Sequence, residues 1–207
     1  MVDDSSGVNC LYIDFMNAFE TVPHRRLIHK LKSYGISDPV LSWIKGFLSD
    51  RVQRVIVNES ASKWANVLSG IPQGSVLGPL LFVIFIRDSF DSINSSSYLF
   101  ADYKNISRVR KSINNIAIQQ DDLNTMIDWS DKWLLRFNKE KCKLLSINGC
   151  SNAKYYINLN MERNEIGRIE SMEDINVMFD KALEFGIHIN AKIKKGEWYL
   201  CNETSFI

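Results

Sequence analysis

An α+β fold is predicted by three stretches of this chain. Residues 8–15, VNCLYIDF, alternate with period two; residues 111–137 carry apolar side chains at helical spacing; and a Gly/Pro-rich loop leads into an apolar helix across residues 70–88. With 207 residues, 45% of them hydrophobic and 24% charged, the chain is long enough to bury one core, or one core and an appendage.

The period of two in the first stretch puts Cys10, Tyr12 and Asp14 on one face and Leu11, Ile13 and Phe15 on the other, so Asp14 stands at the end of a largely buried strand. A helix follows in PHRRLIHKLKSYG, with Leu27, Ile28, Leu31 and Tyr34 on its apolar side and Gly35 as its stop. Asp38 is placed to cap a second helix, Pro39 suits its first turn, and Val40, Leu41, Ile44, Phe47 and Leu48 form its buried face. Residues 53–70 read as a hairpin turning near residues 58–62. In the long helix Ile116, Leu123, Met126, Ile127, Trp133, Leu134 and Phe137 recur at helical spacing. A strand KCKLLSI comes next, then a polar patch near residue 150, short strands in YYINLN and EIGRI, and a helix over 186–195. The division predicted is 1–150 and 151–207.

Several classes are set aside by composition. The longest apolar run, VLGPLLFVIFI, falls short of the roughly 18 residues that span a bilayer, so no membrane partner is expected. The opening MVDDSSG is acidic where a secretory signal is basic, and an intracellular protein, nuclear or cytoplasmic, is expected. The four cysteines show no C-x-x-C spacing and are expected to be reduced thiols. A net charge of +1 is weak for a nucleic-acid binder, yet basic residues bunch in HRRLIHKLK, RVRK, KEKCK and KIKK.

Asp14 at a strand end and Asp102 in the turn of SYLFADYKN can meet if their strands are neighbours, since neighbouring strands lie about 4.8 Å apart. Two such carboxylates suit Mg²⁺, which takes hard oxygens in octahedral geometry and fills its remaining positions with water and phosphate. By spacing alone, a strand-end aspartate is more often a turn or capping residue.

Four runs change that balance: YIDFMNAFETVPH (12–24), SGIPQGSVLGPLLF (69–82), LFADYK (99–104) and FNKEKCKLL (137–145). In order and spacing they resemble the palm of the reverse transcriptases of non-LTR, jockey-type retrotransposons. The resemblance covers most of the chain and implies a palm-type antiparallel sheet packed on helices. It also implies RNA-directed DNA polymerase chemistry through a two-ion Mg²⁺ site, with an RNA template, a DNA primer and deoxynucleoside triphosphates as partners. No protein partner is implied.

Carried over residue by residue, the resemblance makes Asp14 and Asp102 metal ligands and Phe19 the bulky gate that crowds a ribose 2′ hydroxyl. Gln73 and Gly74 belong to the loop against nucleotide and template, Gly74 allowing close backbone approach, and Lys141 is the proton donor to pyrophosphate. Three positions depart from the family pattern. Tyr103 stands where the pattern F-A-D-D has its second aspartate, removing a negative charge from the metal site. Glu20 stands where aspartate is usual, and Asn176 where glycine is common in a primer-contacting hairpin near residues 173–180. The fingers, an endonuclease domain and a complete thumb are expected to lie outside this chain. The expectation is a polymerase palm with little or no activity, the alternative being a nucleic-acid-binding remnant or a decayed element copy without a selected role.

Overall fold

The computed structural model describes residues 7–100, 103–110, 112–148, 152–159 and 162–203. Its frame is a five-stranded sheet in the order β11 (Gly167–Ile169), β8 (Lys143–Ile147), β1 (Val8–Asp14), β7 (Tyr103–Val109), β6 (Ser96–Phe100). β1 is the centre of that sheet, antiparallel to β7 on one side and to β8 on the other. β6 forms the edge beyond β7, and β11 runs parallel to β8 at the other edge. A central strand buried on both faces needs apolar side chains in both registers, and VNCLYIDF supplies them.

One face of β1 carries Leu11, Ile13 and Phe15 into the main core. Helices cover that face: α1 (Ala18–Thr21), α2 (His24–Ser33), α3 (Val40–Leu48), α4 (Leu77–Ile86) and α5 (Ile113–Trp133). Leu27 and Leu31 of α2, Phe82 and Phe85 of α4, and Leu123 and Met126 of α5 are all excluded from solvent there, each contributing about 1.5–3 kcal/mol. The opposite face carries Cys10 and Tyr12 with Leu145 and Ile147. It is covered by Met172 and Phe179 from a hairpin of β12 (Ser171–Asp174) and β13 (Val177–Asp180). The two residues closing that hairpin, Ile175 (φ 45°) and Asn176 (φ 66°), are both left-handed. Asparagine tolerates that conformation, so the hairpin closes without the glycine usual there.

The remaining elements are smaller. β2 (Val52–Gln53) pairs with β5 (Ala65–Asn66), and β3 (Ile56–Val57) with β4 (Ser60–Ala61), as one hairpin. Its turn is tighter than expected: Val57 pairs with Ser60 across Asn58 (φ 45°) and Glu59 (φ 66°), a type I′ geometry. β9 (Tyr156–Leu159) and β10 (Glu162–Glu165) form another hairpin, and α6 (Gly186–Glu203) extends past the predicted residue 195. The fully buried Tyr155 and strand β11 tie residues beyond 150 to the same core and sheet. Among the described residues no helix is long and apolar enough to cross a membrane.

Two local expectations are corrected. Asp38 does not cap α3 with its side chain: Pro39 occupies the cap, and Asp38 accepts a hydrogen bond from the Ser42 hydroxyl instead. α5 ends at Trp133 because Leu134 turns left-handed (φ 58°), which exposes Leu134 and buries Leu135 in its stead. Phe137 still reaches the core, stacked on Phe15 at 4.9 Å, but from an extended bridge rather than from the helix.

Candidate nucleotide site

The site forms where β1 ends. Asn17 (φ 48°) bends the chain straight after the strand and starts the short turn of α1, whose carbonyls then point at the loop of residues 69–76. Three bonds fasten that loop: the Gly70 amide donates to Val22 O (2.9 Å), the Ile71 amide to Phe19 O (2.7 Å), and the Ser69 hydroxyl to Glu20 O (3.0 Å). His24 Nε2 lies 2.7 Å from Gly70 O. A carbonyl only accepts, so Nε2 carries the proton.

Gly70 is required twice over. Its φ is +87°, and a Cβ there would stand 2.6 Å from Glu20 O. Gly74 also has a positive φ, +80°, but a Cβ would meet nothing within 4 Å. Close backbone approach within the protein therefore falls to Gly70, while at Gly74 the constraint is the left-handed backbone beside open space. Beyond it, Ser75 accepts from the Gly78 amide (3.0 Å) and donates to Pro72 O (2.8 Å), joining the loop to α4.

A second tight turn supplies Lys141. The Asn138 amide donates to Asp14 O (2.9 Å), and Asn138 O accepts from the amides of Lys141 and Cys142 (both 3.1 Å). This fold-back sets the Lys141 ammonium 3.4 Å from the Asp14 carboxylate. Burial, the largest influence, pushes the Cys142 thiol up to about 11, and it also raises the Tyr12 hydroxyl, so both neighbours of Asp14 stay uncharged at neutral pH.

The structure thus gathers Phe19, Gln73 and Lys141 around one cleft of about 170 Å³, together with Asn17 and Glu20. Phe19 is braced from behind by Phe82, ring centroids 4.6 Å apart. A larger cleft of about 530 Å³ shares Glu20 and Gln73 with the first and extends past Ser69 to Arg51, Gln53 and Asn66. Arg51 was not picked out by sequence and nothing in its spacing marks it; Glu20 was noted only as a departure from the family's aspartate, not as a residue lining a cleft. Asp102 lies outside the described residues; its neighbour Tyr103 pairs with Asp14 in the β1–β7 register. Among the described residues no three His, Cys, Asp or Glu side chains cluster as a metal site. Asp14 offers a carboxylate of the hard-oxygen type a divalent cation takes, 15% exposed and held by Lys141.

Residues 4–194 match the family model described as Reverse transcriptase (RNA-dependent DNA polymerase). The chain belongs to the reverse transcriptase family. Among its relatives, the Drosophila melanogaster protein named "Probable RNA-directed DNA polymerase from transposon BS" is 30% identical over 93% of this chain and 22% of its own length. The RNA-directed DNA polymerase from mobile element jockey, also of Drosophila melanogaster, is 27% identical over 86% of this chain and 20% of its own length. These matches place this reverse transcriptase chain with the non-LTR retrotransposons, and it spans about a fifth of the length of those relatives.

The fold of this reverse transcriptase chain is also found in telomerase. Apo telomerase from Candida tropicalis superposes with a TM-score of 0.57 at 11% identity, covering 86% of this chain and 34% of that one. Telomerase from Candida albicans, in complex with a fragment of telomeric RNA, gives 0.54 at 10% identity over 86% of this chain and 31% of that one. The sheet packed on helices, antiparallel as expected except for its parallel β11 edge, is the palm-type architecture expected from the sequence. Reverse transcriptases as a family use divalent metal ions.

Proposed function

We propose that this chain is the palm of a non-LTR RNA-directed DNA polymerase, seating a deoxynucleoside triphosphate in the cleft between Phe19, Gln73 and Lys141. The observation that carries the reading is the convergence of those three residues, from three separate segments, on one cleft beside Asp14.

The sugar meets Phe19, whose ring is fixed by Phe82 and cannot withdraw, so a 2′ hydroxyl is excluded by volume. Gln73 offers a neutral donor and acceptor toward the base pair, with the open space at Gly74 beside it. Lys141 faces the triphosphate, where its charge steadies the phosphates and its proton can pass to the leaving pyrophosphate. Asp14 and Asp102 would hold Mg²⁺, which would supply charge neutralisation and activation of the primer 3′ hydroxyl. Tyr103 in place of a second carboxylate weakens that ion's hold, and the copy is left with little polymerase activity. RNA template and DNA primer are the nucleic acids it takes.

Titration of the chain with a fluorescent deoxynucleoside triphosphate in Mg²⁺ tests this. Binding is expected to weaken about tenfold or more in Lys141→Met, the loss of a charge-assisted contact. Phe19→Ala is expected to narrow the preference over the matching ribonucleotide. Equal binding of both nucleotides by the unmodified chain and both variants would overturn the reading.

A further inference from the structure

The hairpin of β2 to β5 projects from the body with both faces in solvent. Val55, Ile56, Val57 and Trp64 are all exposed, Trp64 at 61%. A two-stranded ribbon with apolar residues on both faces gains little from its own burial. Its composition shows what kind of surface it presents. Residues 51–66 carry Arg51, Arg54 and Lys63 against the single carboxylate Glu59 at the tip, and the Arg54 guanidinium lies 4.6 Å from the Trp64 ring centroid.

The hairpin is also continuous with the nucleotide cleft. Arg51 and Gln53 of β2 and Asn66 of β5 line the larger cleft, which meets the smaller one at Glu20 and Gln73. Arg51 further donates to Gly70 O at 3.3 Å, tying the base of the hairpin to the loop that carries Gln73. A strand whose base is read at Gln73 therefore has a path along this cleft onto the ribbon.

We propose that the β2–β5 hairpin is a platform for single-stranded nucleic acid leaving the nucleotide cleft, with a base stacked on Trp64 and phosphates met by Arg51, Arg54 and Lys63. The proposal rests on the cleft reading above for its direction. An exposed aromatic ring backed by a guanidinium, among cations that outnumber carboxylates, is the combination that binds single strands without sequence preference. A protein partner seated on the aliphatic residues alone would leave those cations unused.

The test is fluorescence anisotropy with a fluorescein-labelled oligouridylate of about 12 nucleotides, within the usual site size of such platforms. Trp64→Ala is expected to weaken binding about 5- to 100-fold, and Trp64→Phe to restore most of it. Arg54→Gln and Lys63→Gln should each flatten the dependence of log affinity on log salt by about 0.7. All three positions are on the exposed ribbon, and circular dichroism verifies that the variants fold. Absent binding, or Trp64→Ala with unchanged affinity, overturns the proposal. So does loss of self-association in sedimentation without loss of oligonucleotide affinity, which would make the hairpin a protein contact. Deoxynucleotide titration of Phe19→Ala and Lys141→Met separates the two readings: if those variants bind nucleotide normally while Trp64→Ala loses the oligonucleotide, the cleft assignment fails and the platform stands.

Discussion

The Lys141 ammonium lies 3.4 Å from the Asp14 carboxylate, the lysine 63% exposed and the aspartate 15%. The lysine end is open to water, which screens the pair and keeps its contribution to stability at about 1 kcal/mol. Lys141→Met should therefore leave the urea midpoint almost unchanged while weakening nucleotide binding about tenfold. Chemical denaturation and nucleotide titration of the same sample make the comparison. A large stability loss would mean the pair is structural.

Lys104 sits fully buried on β7, its ammonium 4.7 Å from the ring centroids of Phe15 and Phe90 and 4.8 Å from that of Trp129. It donates to the Ser89 hydroxyl, and among the described residues no carboxylate forms an ion pair with it. Burial, and then the nearby Lys30 charge, lowers its pKa well below 10.5. Lys104→Met should raise stability by about 1–4 kcal/mol at neutral pH, as replacing buried charge by an apolar side chain often does.

The pH dependence follows from the same shift. With the folded pKa lowered, the unfolded chain binds the extra proton, so the wild-type chain loses stability as pH falls below 10.5. The advantage of Lys104→Met should accordingly shrink as pH rises from 7 toward 10.5. Lys30, lowered to about 8 by burial against its bond to Asp88, works with the same sign between 10.5 and 8. Paired denaturation curves of variant and parent across that range are the check, because the difference cancels the cysteines and tyrosines that titrate there too.

Gly70 and Gly74 share a positive φ but not their surroundings, so alanine should separate them. Gly74→Ala carries only the backbone strain, about 1–2 kcal/mol. Gly70→Ala adds a Cβ 2.6 Å from Glu20 O and should cost more, unfastening the loop that carries Gln73 and reducing nucleotide affinity as well. Equal effects in thermal melts would contradict the fastening described for Gly70.

Ile175 is a β-branched residue held at φ 45° at an exposed hairpin tip. Ile175→Asn should stabilise the chain by about 1–2 kcal/mol, since asparagine accepts the left-handed conformation and the isoleucine side chain is largely in solvent. A lower denaturation midpoint in the variant would show that Ile175 makes a contact of its own.

These features divide into what the sequence displays and what it hides. β1, α2 and α4 are legible because apolar spacing and punctuating Gly and Pro agree over many residues. So is the loop from Ser69 to Gly78, whose motif brings Gln73 to Phe19. Lys104 is hidden: in YKNISRV it alternates with Ile106 on the inward face, and a lysine there reads as an outward residue. The end of α5 is hidden because Leu134 takes a left-handed turn with no glycine to announce it. β10, ERNE, is exposed and polar and carries no burial pattern at all. The larger cleft is a tertiary product of β2, β5 and the loop after them, so Arg51 gave no local signal and Glu20 only a motif departure.

The most direct measurement is Mg²⁺-dependent extension of a DNA primer on an RNA template by this chain beside its Tyr103→Asp variant. A lost metal-site charge raises the barrier by several kcal/mol, so the variant should extend at least about 100-fold faster than the unmodified chain. Equal extension by the two, or silence from a folded, nucleotide-binding variant, would contradict the account that Tyr103 is the lesion in an otherwise competent palm.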